Sequence, residues 1–262
     1  MIFFRSSKYL RYILLSKHSK GHGIHSPFIY DLVSRVFRNK IDRNIVITVE
    51  AIRQKMRNDQ RTLTINDLGA GSAGMKKKVR TISEIARWSP VPARYGLLLS
   101  RMASEFGQNG ITELGTSLGI STMYMALACP NTTVDTIEGC NETANIAKEN
   151  IDAAEIKNVV VHTGSFEQVL PVLFNENNKP GLIFIDGDHR KEPVLKYFNK
   201  IAEYADNNTV VIIDDIYYSE GMTEAWEEIK SICNISFSVD VFRMGIVFFR
   251  KGAVHTDYIV RY

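Results

Sequence analysis

The feature that most constrains this chain is a regular alternation that begins near residue 89. Apolar runs at 111–114, 134–137, 158–162, 181–185 and 209–213 are separated by segments long enough for a helix. Spacing of this kind implies parallel strands joined by crossover helices, with helices on both faces of the sheet. A helix rich in Leu97, Leu98, Leu99, Met102 and Phe106 leads into the first run. The last two runs, 237–243 and 246–250, are joined only by Met244-Gly245, so they must form an antiparallel hairpin. The expected fold is therefore α/β: a seven-stranded, mostly parallel sheet with an antiparallel C-terminal hairpin strand and an N-terminal helical extension.

The first turn of this pattern carries a glycine motif. Glu113-Leu-Gly115-Thr116-Ser117-Leu-Gly119-Ile-Ser121 follows a strand and opens a helix. Its glycines let the backbone turn tightly and approach a ligand, while free helix N–H groups face the same crevice. The spacing is G-x-x-x-G, whereas the dinucleotide fingerprint is G-x-G-x-x-G. Glu138 closes the second run, nineteen residues beyond Gly119. A carboxylate there can accept hydrogen bonds from both hydroxyls of a ribose. After the third run, Gly164-Ser165-Phe166-Glu167 suits an adenine edge with an aromatic face alongside. Asp67-Leu-Gly-Ala-Gly-Ser72 looks similar, but no second apolar strand ending in an acid follows it before Glu113, and a glycine motif counts only in its context.

Two further motifs follow in order, Ile185-Asp186-Gly-Asp188-His189 and Ile213-Asp214-Asp215. With them, the segment from about Pro90 to Arg250 resembles the catechol and caffeoyl-CoA O-methyltransferase group and its bacterial relatives among the class I methyltransferases. The resemblance implies a Rossmann-like fold and S-adenosylmethionine as cofactor. The expected cofactor residues are Glu113, Gly115, Thr116, Ser117, Gly119, Ser121, Glu138, Gly164, Ser165, Phe166 and Asp186. The expected reaction is methylation of an oxygen on a small-molecule acceptor. The N-terminal 88 residues share only a general similarity to helical lids in that group.

Methyl transfer needs the nucleophile, methyl and sulfur held in line, and an oxygen nucleophile must also lose its proton. Two devices are available. Asp186 ends the fourth strand, and Asp214 and Asp215 end the fifth, on one edge of the sheet. Three carboxylates there repel one another unless a cation or protons neutralise them, and oxygen-only ligands favour Mg²⁺ or a similar hard divalent ion. In the resembling group these positions hold a divalent metal, commonly with Asn at the last, where this chain has Asp215. His189 stands where the group often places the residue that takes the substrate proton; it is either that base or a partner of Asp186 or Asp188. The expected catalytic pair is His189 and Asp186. Tyr217, Tyr218, Met222 and Trp226 either floor an aromatic acceptor pocket or, for Trp226 at helical spacing from Met222 and Ile229, belong to the core.

The remainder divides into a basic helical extension or lid at 1–60, a Gly/Lys-rich loop region at 61–88 and the methyltransferase domain at 89–262. Ser26-Pro27 suits a helix entry, and Phe28, Ile29, Leu32, Val33, Val36 and Phe37 share one helical face. Residues 1–43 hold nine Lys/Arg against only Asp31 and Asp42, although the whole chain carries just +3. Such an arm meets nucleic acid, an acidic lipid surface or its own body. His18, His22 and His25 flank a Gly-rich turn without a nearby carboxylate and read as polar loop residues rather than metal ligands. Three cysteines without paired spacing fit a reducing, cytoplasmic compartment, and no apolar run is long enough to span a bilayer. The helices at 8–16 and 26–38 either cap the active site or pair with another subunit in a homodimer. The competing readings are an RNA methyltransferase using the basic arm, a non-catalytic cofactor-binding regulatory protein and, more remotely, a nicotinamide oxidoreductase. The RNA reading lacks the Asn/Asp-Pro-Pro-aromatic motif of many base-amino methylases.

Overall fold

The computed structural model describes residues 2–16, 24–65, 78–88, 90–174 and 179–262. The basic residues Arg5, Lys8 and Arg11 lie on a helix, α1 (Ile2–Leu15). Ser26 caps α2 (Pro27–Ser34): its hydroxyl accepts the Ile29 N–H, and Pro27 occupies a position where no N–H is needed. The stripe of Ile29, Leu32 and Val33 is buried and continues through a 3-10 turn at Val36–Arg38. α3 (Arg43–Arg57), capped by Asp42, buries Val49, Ile52 and Met56.

The Gly/Lys-rich region expected as a loop contains regular structure. β1 (Thr62–Thr64) and β2 (Val79–Thr81) pair antiparallel, and α4 (Ile82–Trp88) follows directly. Glu84 accepts the Thr81 N–H while the Thr81 hydroxyl accepts the Glu84 N–H, a reciprocal pair that starts the helix. The Asp67–Ser72 glycine motif, Lys76, Lys77, His18 and His22 lie outside the described residues.

α5 (Ala93–Phe106) leads into β3 (Ile111–Leu114). The alternation then runs α6 (Ile120–Ala128), β4 (Val134–Glu138), α7 (Asn141–Ala153), β5 (Val159–Thr163) and α8 (Phe166–Leu173). It continues through β6 (Leu182–Ile185), α9 (Lys191–Ala202), β7 (Val210–Ile213) and α10 (Glu220–Lys230), and closes with β8 (Phe237–Asp240), β9 (Gly245–Phe248) and β10 (Thr256–Ile259). One eight-stranded sheet has the order β10-β8-β9-β7-β6-β3-β4-β5. Strands β3 to β7 are mutually parallel, β9 runs antiparallel to both β7 and β8, and β10 lies parallel to β8. The Rossmann-like α/β reading holds, with one strand more than the seven anticipated. Thr256-Asp257-Tyr258-Ile259 is short and half polar, so its strand state comes from pairing with β8 rather than from local pattern.

The hairpin also differs from expectation. Its strands stop at Asp240 and resume at Gly245, so Val241–Met244 forms the turn and Arg243 is not a strand residue. Phe242 adopts a positive φ of 72°, the left-handed step that closes the turn.

β3, β6 and β7 are buried at every position and separate two apolar layers. On one face α2, α3, α5 and α6 share a single core; on the other lie α8, α9 and α10. The N-terminal helices are therefore part of a layer, tied by polar links as well. The Tyr124 hydroxyl of α6 donates to Glu50 of α3 at 2.8 Å, and Arg53 donates to the Val91 carbonyl at 2.7 Å. Trp226 is core: only 1% exposed, its indole would lie 2.5 Å from a Cβ placed on Gly245.

Candidate active site

The parallel strands bring their carboxyl ends to one edge. Asp186 N donates to the Leu114 carbonyl at 2.8 Å, and Asp214 N donates to the Ile185 carbonyl at 2.9 Å, so the ends of β3, β6 and β7 are in step. Strand order reverses between β3 and β6: the chain moves outward through β4 and β5, then returns to build β6 and β7 on the other side. Helices diverge to opposite faces at such a reversal and leave a crevice that binds ligands.

The β3–α6 loop lines this crevice. Gly115 (φ 104°) and Gly119 (φ 84°) both occupy the left-handed region, and Ser117 joins them at φ 49°. Gly119 heads α6 with no side-chain cap, leaving the first N–H groups of the helix open to a ligand. The Glu138 carboxylate accepts the Ser117 N–H at 2.8 Å and the Cys140 N–H at 2.9 Å. Each carboxylate oxygen has two lone pairs, so these bonds position Glu138 without exhausting it. Ser165 caps α8 in a reciprocal box with Gln168. Phe166 packs edge-on to Tyr197 with ring centres 5.1 Å apart, and its ring abuts Gly187, beside Asp186.

The predicted cofactor residues thus fall into two groups. Gly115, Ser117, Gly119, Glu138, Gly164, Ser165, Phe166 and Asp186 belong to the strand-end loops along the crevice edge. Glu113, Thr116 and Ser121 are buried behind it. Glu113 accepts hydrogen bonds from Thr122 and from Thr136 (2.6 Å). Thr116 and Thr136 share a further hydroxyl contact at 2.6 Å. These residues brace the loop from within.

Burial is the main cause that lifts the Glu113 carboxyl from its ordinary 4.5 to about 7, against the opposing pull of the Ser121, Thr122 and Thr136 hydroxyls. Folding therefore favours its neutral form. Below pH 4.5 the group is protonated in both states and costs nothing. As pH rises towards 7 the unfolded chain loses the proton first, and stability falls by roughly 3 kcal/mol from this group. Urea denaturation of wild type and Glu113→Gln between pH 5 and 8 should show wild type losing stability relative to the variant as pH rises. A difference independent of pH would remove Glu113 as the cause.

The carboxylates expected to hold a metal are met by a guanidinium instead. Arg243 Nε donates to both oxygens of Asp214 (2.9 and 3.1 Å), and its terminal nitrogen donates to one of them at 2.6 Å. The Asp214 side chain is wholly buried, and Asp215 lies 3.7 Å from the same guanidinium. Asp215, at φ 50°, has a buried Oδ1 with no hydrogen-bond partner, but Arg5 of α1 approaches that oxygen at 3.6 Å. Burial, then the Asp214 charge, pushes the Asp186 and Asp215 carboxyls up from the usual range, and Arg243 opposes this in both. Among the described residues no group of three or more His, Cys, Asp and Glu side chains could hold a metal ion. Sequence reasoning missed Arg243 because it read residues 237–243 as strand. The usable signal was topological: a strand antiparallel to β7 must begin where β7 ends, so the preceding turn arrives at the carboxylate edge.

His189 Nε2 lies 3.8 Å from Asp186 Oδ1, with the side chain partly open to solvent. Asp188 does not orient it; both oxygens of Asp188 accept from Arg190, at 2.6 and 2.5 Å. The ring of Tyr218 stands 5.5 Å from the His189 ring, and Arg5 lies over Tyr218 at 5.9 Å. Lys8 lies over Tyr217, whose hydroxyl donates to Asp240. Two cations of the basic arm therefore turn onto the chain's own strand-end loops.

Comparison with known proteins agrees with this geometry. Residues 112–216, from within β3 to just past Asp215, match the family model described as a methyltransferase domain. Residues 112–216 are therefore similar to a methyltransferase domain. The chain is 34% identical over 129 residues to a catechol O-methyltransferase of Niastella koreensis, a match spanning 48% of this chain and 58% of that protein. A catechol O-methyltransferase of Mycobacterium tuberculosis is 29% identical over 134 residues, 50% of this chain and 59% of that protein. The methyltransferase fold extends further than these matches. The O-methyltransferase of tomaymycin synthesis from Streptomyces achromogenes, solved with S-adenosylmethionine, superposes with a TM-score of 0.57 at 18% identity, covering 80% of this chain and 91% of that one.

Proposed function

We propose that this protein transfers the methyl group of S-adenosylmethionine to a hydroxyl oxygen of a small molecule. The observation that carries the reading is the Gly115–Gly119 loop at the strand-order reversal, with the Glu138 carboxylate pinned beside it by the Ser117 N–H. The donor set fits the cofactor: Glu138 for the ribose hydroxyls, the open N-terminus of α6 for a carboxylate, and Phe166 for an adenine face. When bound, S-adenosylmethionine supplies an electrophilic sulfonium methyl. The catechol O-methyltransferase relatives make an aromatic hydroxyl the first acceptor to try.

The acidic trio does not fit the divalent ion expected at Asp186, Asp214 and Asp215. Both oxygens of Asp214 are engaged by Arg243, and a second cation placed there would face the guanidinium across a buried site. Proton removal therefore falls to His189. Its ring is partly open to solvent, and Asp186 at 3.8 Å can steady the charge that forms when it accepts a proton. The Tyr218 ring, 5.5 Å from the His189 ring, would wall one side of the acceptor position.

Calorimetric titration with S-adenosylhomocysteine, followed by methyl transfer to a panel of phenols and catechols, tests the reading. Glu138→Gln should weaken cofactor binding by about 10- to 100-fold, the loss of charged hydrogen bonds to ribose. Undiminished affinity in that variant would remove Glu138 from the cofactor site. The RNA alternative gains no support from α1, where Arg5 and Lys8 already engage the chain's own aromatic and acidic groups.

A further inference from the structure

We propose that Arg243, assisted by Arg5, is the resident cation of the strand-end carboxylates, taking the electrostatic place of a divalent metal and making the site metal-independent. The inference rests on the methyltransferase reading of that edge, and goes beyond it by assigning a role to a residue outside every motif of the strand-end loops.

The first support is saturation. Asp214 is fully buried and both its oxygens already accept from one guanidinium in a fork-to-fork arrangement. Planar bidentate pairing of this kind is strong and directional, so Asp214 is not a vacant ligand. The second is charge. Two guanidinium groups, Arg243 and Arg5, lie within 3.7 Å of Asp215 and bring the same formal charge as one divalent ion. The third is preorganisation. The Arg243 carbonyl accepts the Ile216 N–H at 3.2 Å, locking the hairpin turn to the loop that carries Asp214 and Asp215. Within the turn, Arg243 N donates to the Val241 carbonyl, and Val241 N donates to the Met244 carbonyl. From outside it, Tyr95 donates to the Val241 carbonyl at 3.0 Å, and Asp240 accepts the Phe242 N–H at 2.7 Å. The guanidinium is thus delivered by a braced turn, as a metal ligand set would be. Arg243 is in this sense a positioning residue: it fixes Asp214 and Asp215 and keeps a divalent ion out.

The test is Mn²⁺ binding, read by electron paramagnetic resonance and calorimetry, in the protein with and without S-adenosylhomocysteine. Wild type should bind no stoichiometric Mn²⁺ up to about 1 mM, whereas Arg243→Met should gain a site at least about tenfold tighter that Asp214→Asn in the same chain abolishes. A wild-type site tighter than about 100 µM that is lost in Asp214→Asn would overturn the proposal. So would a folded Arg243→Met protein that gains no ion. Should Arg243→Met not fold, Arg243→Gln takes its place, and the wild-type titration decides by itself. The two readings fail separately. Metal binding alongside intact S-adenosylhomocysteine binding sinks the Arg243 role alone, while absent S-adenosylhomocysteine binding sinks the methyltransferase reading and leaves the Mn²⁺ result to judge Arg243.

Discussion

Gly115→Ala is expected to abolish cofactor binding and to lower the melting temperature. Gly115 sits at φ 104°, and a Cβ there would lie 2.6 Å from the backbone oxygen of Asp186. Nothing at that contact is a flexible side-chain tip; it is the end of β6 itself. The backbone is also fixed from the other side, since the N–H groups of Gly115 and Thr116 both donate to the Ile137 carbonyl, at 3.0 and 3.2 Å. A left-handed alanine costs about 1–2 kcal/mol and overpacking about 1–3 kcal/mol, so roughly 3 kcal/mol and about 10 °C should be lost together. Relief requires β3 and β6 to separate, which moves the loop away from Glu138. A displacement near 1 Å is enough to cost about 100-fold in a positioned site. Thermal unfolding and S-adenosylhomocysteine calorimetry read the two effects independently. Normal affinity in a destabilised variant would show that the loop is structural and the cofactor sits elsewhere.

The second large effect is kinetic. His189→Ala should lower kcat by about 10²–10⁴-fold while leaving S-adenosylhomocysteine affinity unchanged, because a positioned general base contributes on that scale. Stability is not expected to change much: His189 is partly exposed and stands 3.8 Å from Asp186. If kcat survives, the proton leaves by another route and His189 is only a neighbour of Asp186.

What the sequence made legible was whatever depends on local rules. Apolar runs and helix-length gaps gave the strand succession, and glycine spacing placed the positive-φ loop at Gly115 and Gly119. Ser26-Pro27 announced the entry to α2. Long-range consequences were not legible. Glu113 stands one residue from the crevice in sequence, yet its side chain is wholly buried among threonines of α6 and β4, because strand facing and not sequence distance decides where it points. Arg243 looked like the end of a strand; the left-handed step at Phe242 made it the tip of a turn, and the antiparallel course of β9 put that turn beside Asp214. Thr62–Thr64 and Val79–Thr81 are too short to announce a hairpin across the residues between them.

One contact joins distant parts of the chain. The Tyr12 hydroxyl of α1 donates to the Val260 carbonyl at 2.7 Å and accepts the Tyr262 N–H at 3.1 Å, while its ring packs against Phe242 of the hairpin turn. α1 precedes the sheet in the chain, yet the seat that orients it lies 248 to 250 residues downstream of Tyr12. The strands of the sheet and the Gly115–Gly119 loop can assemble before that seat is made. Arg5 rides on the helix that Tyr12 seats, so its approach to Asp215 depends on a contact made across 250 residues of chain.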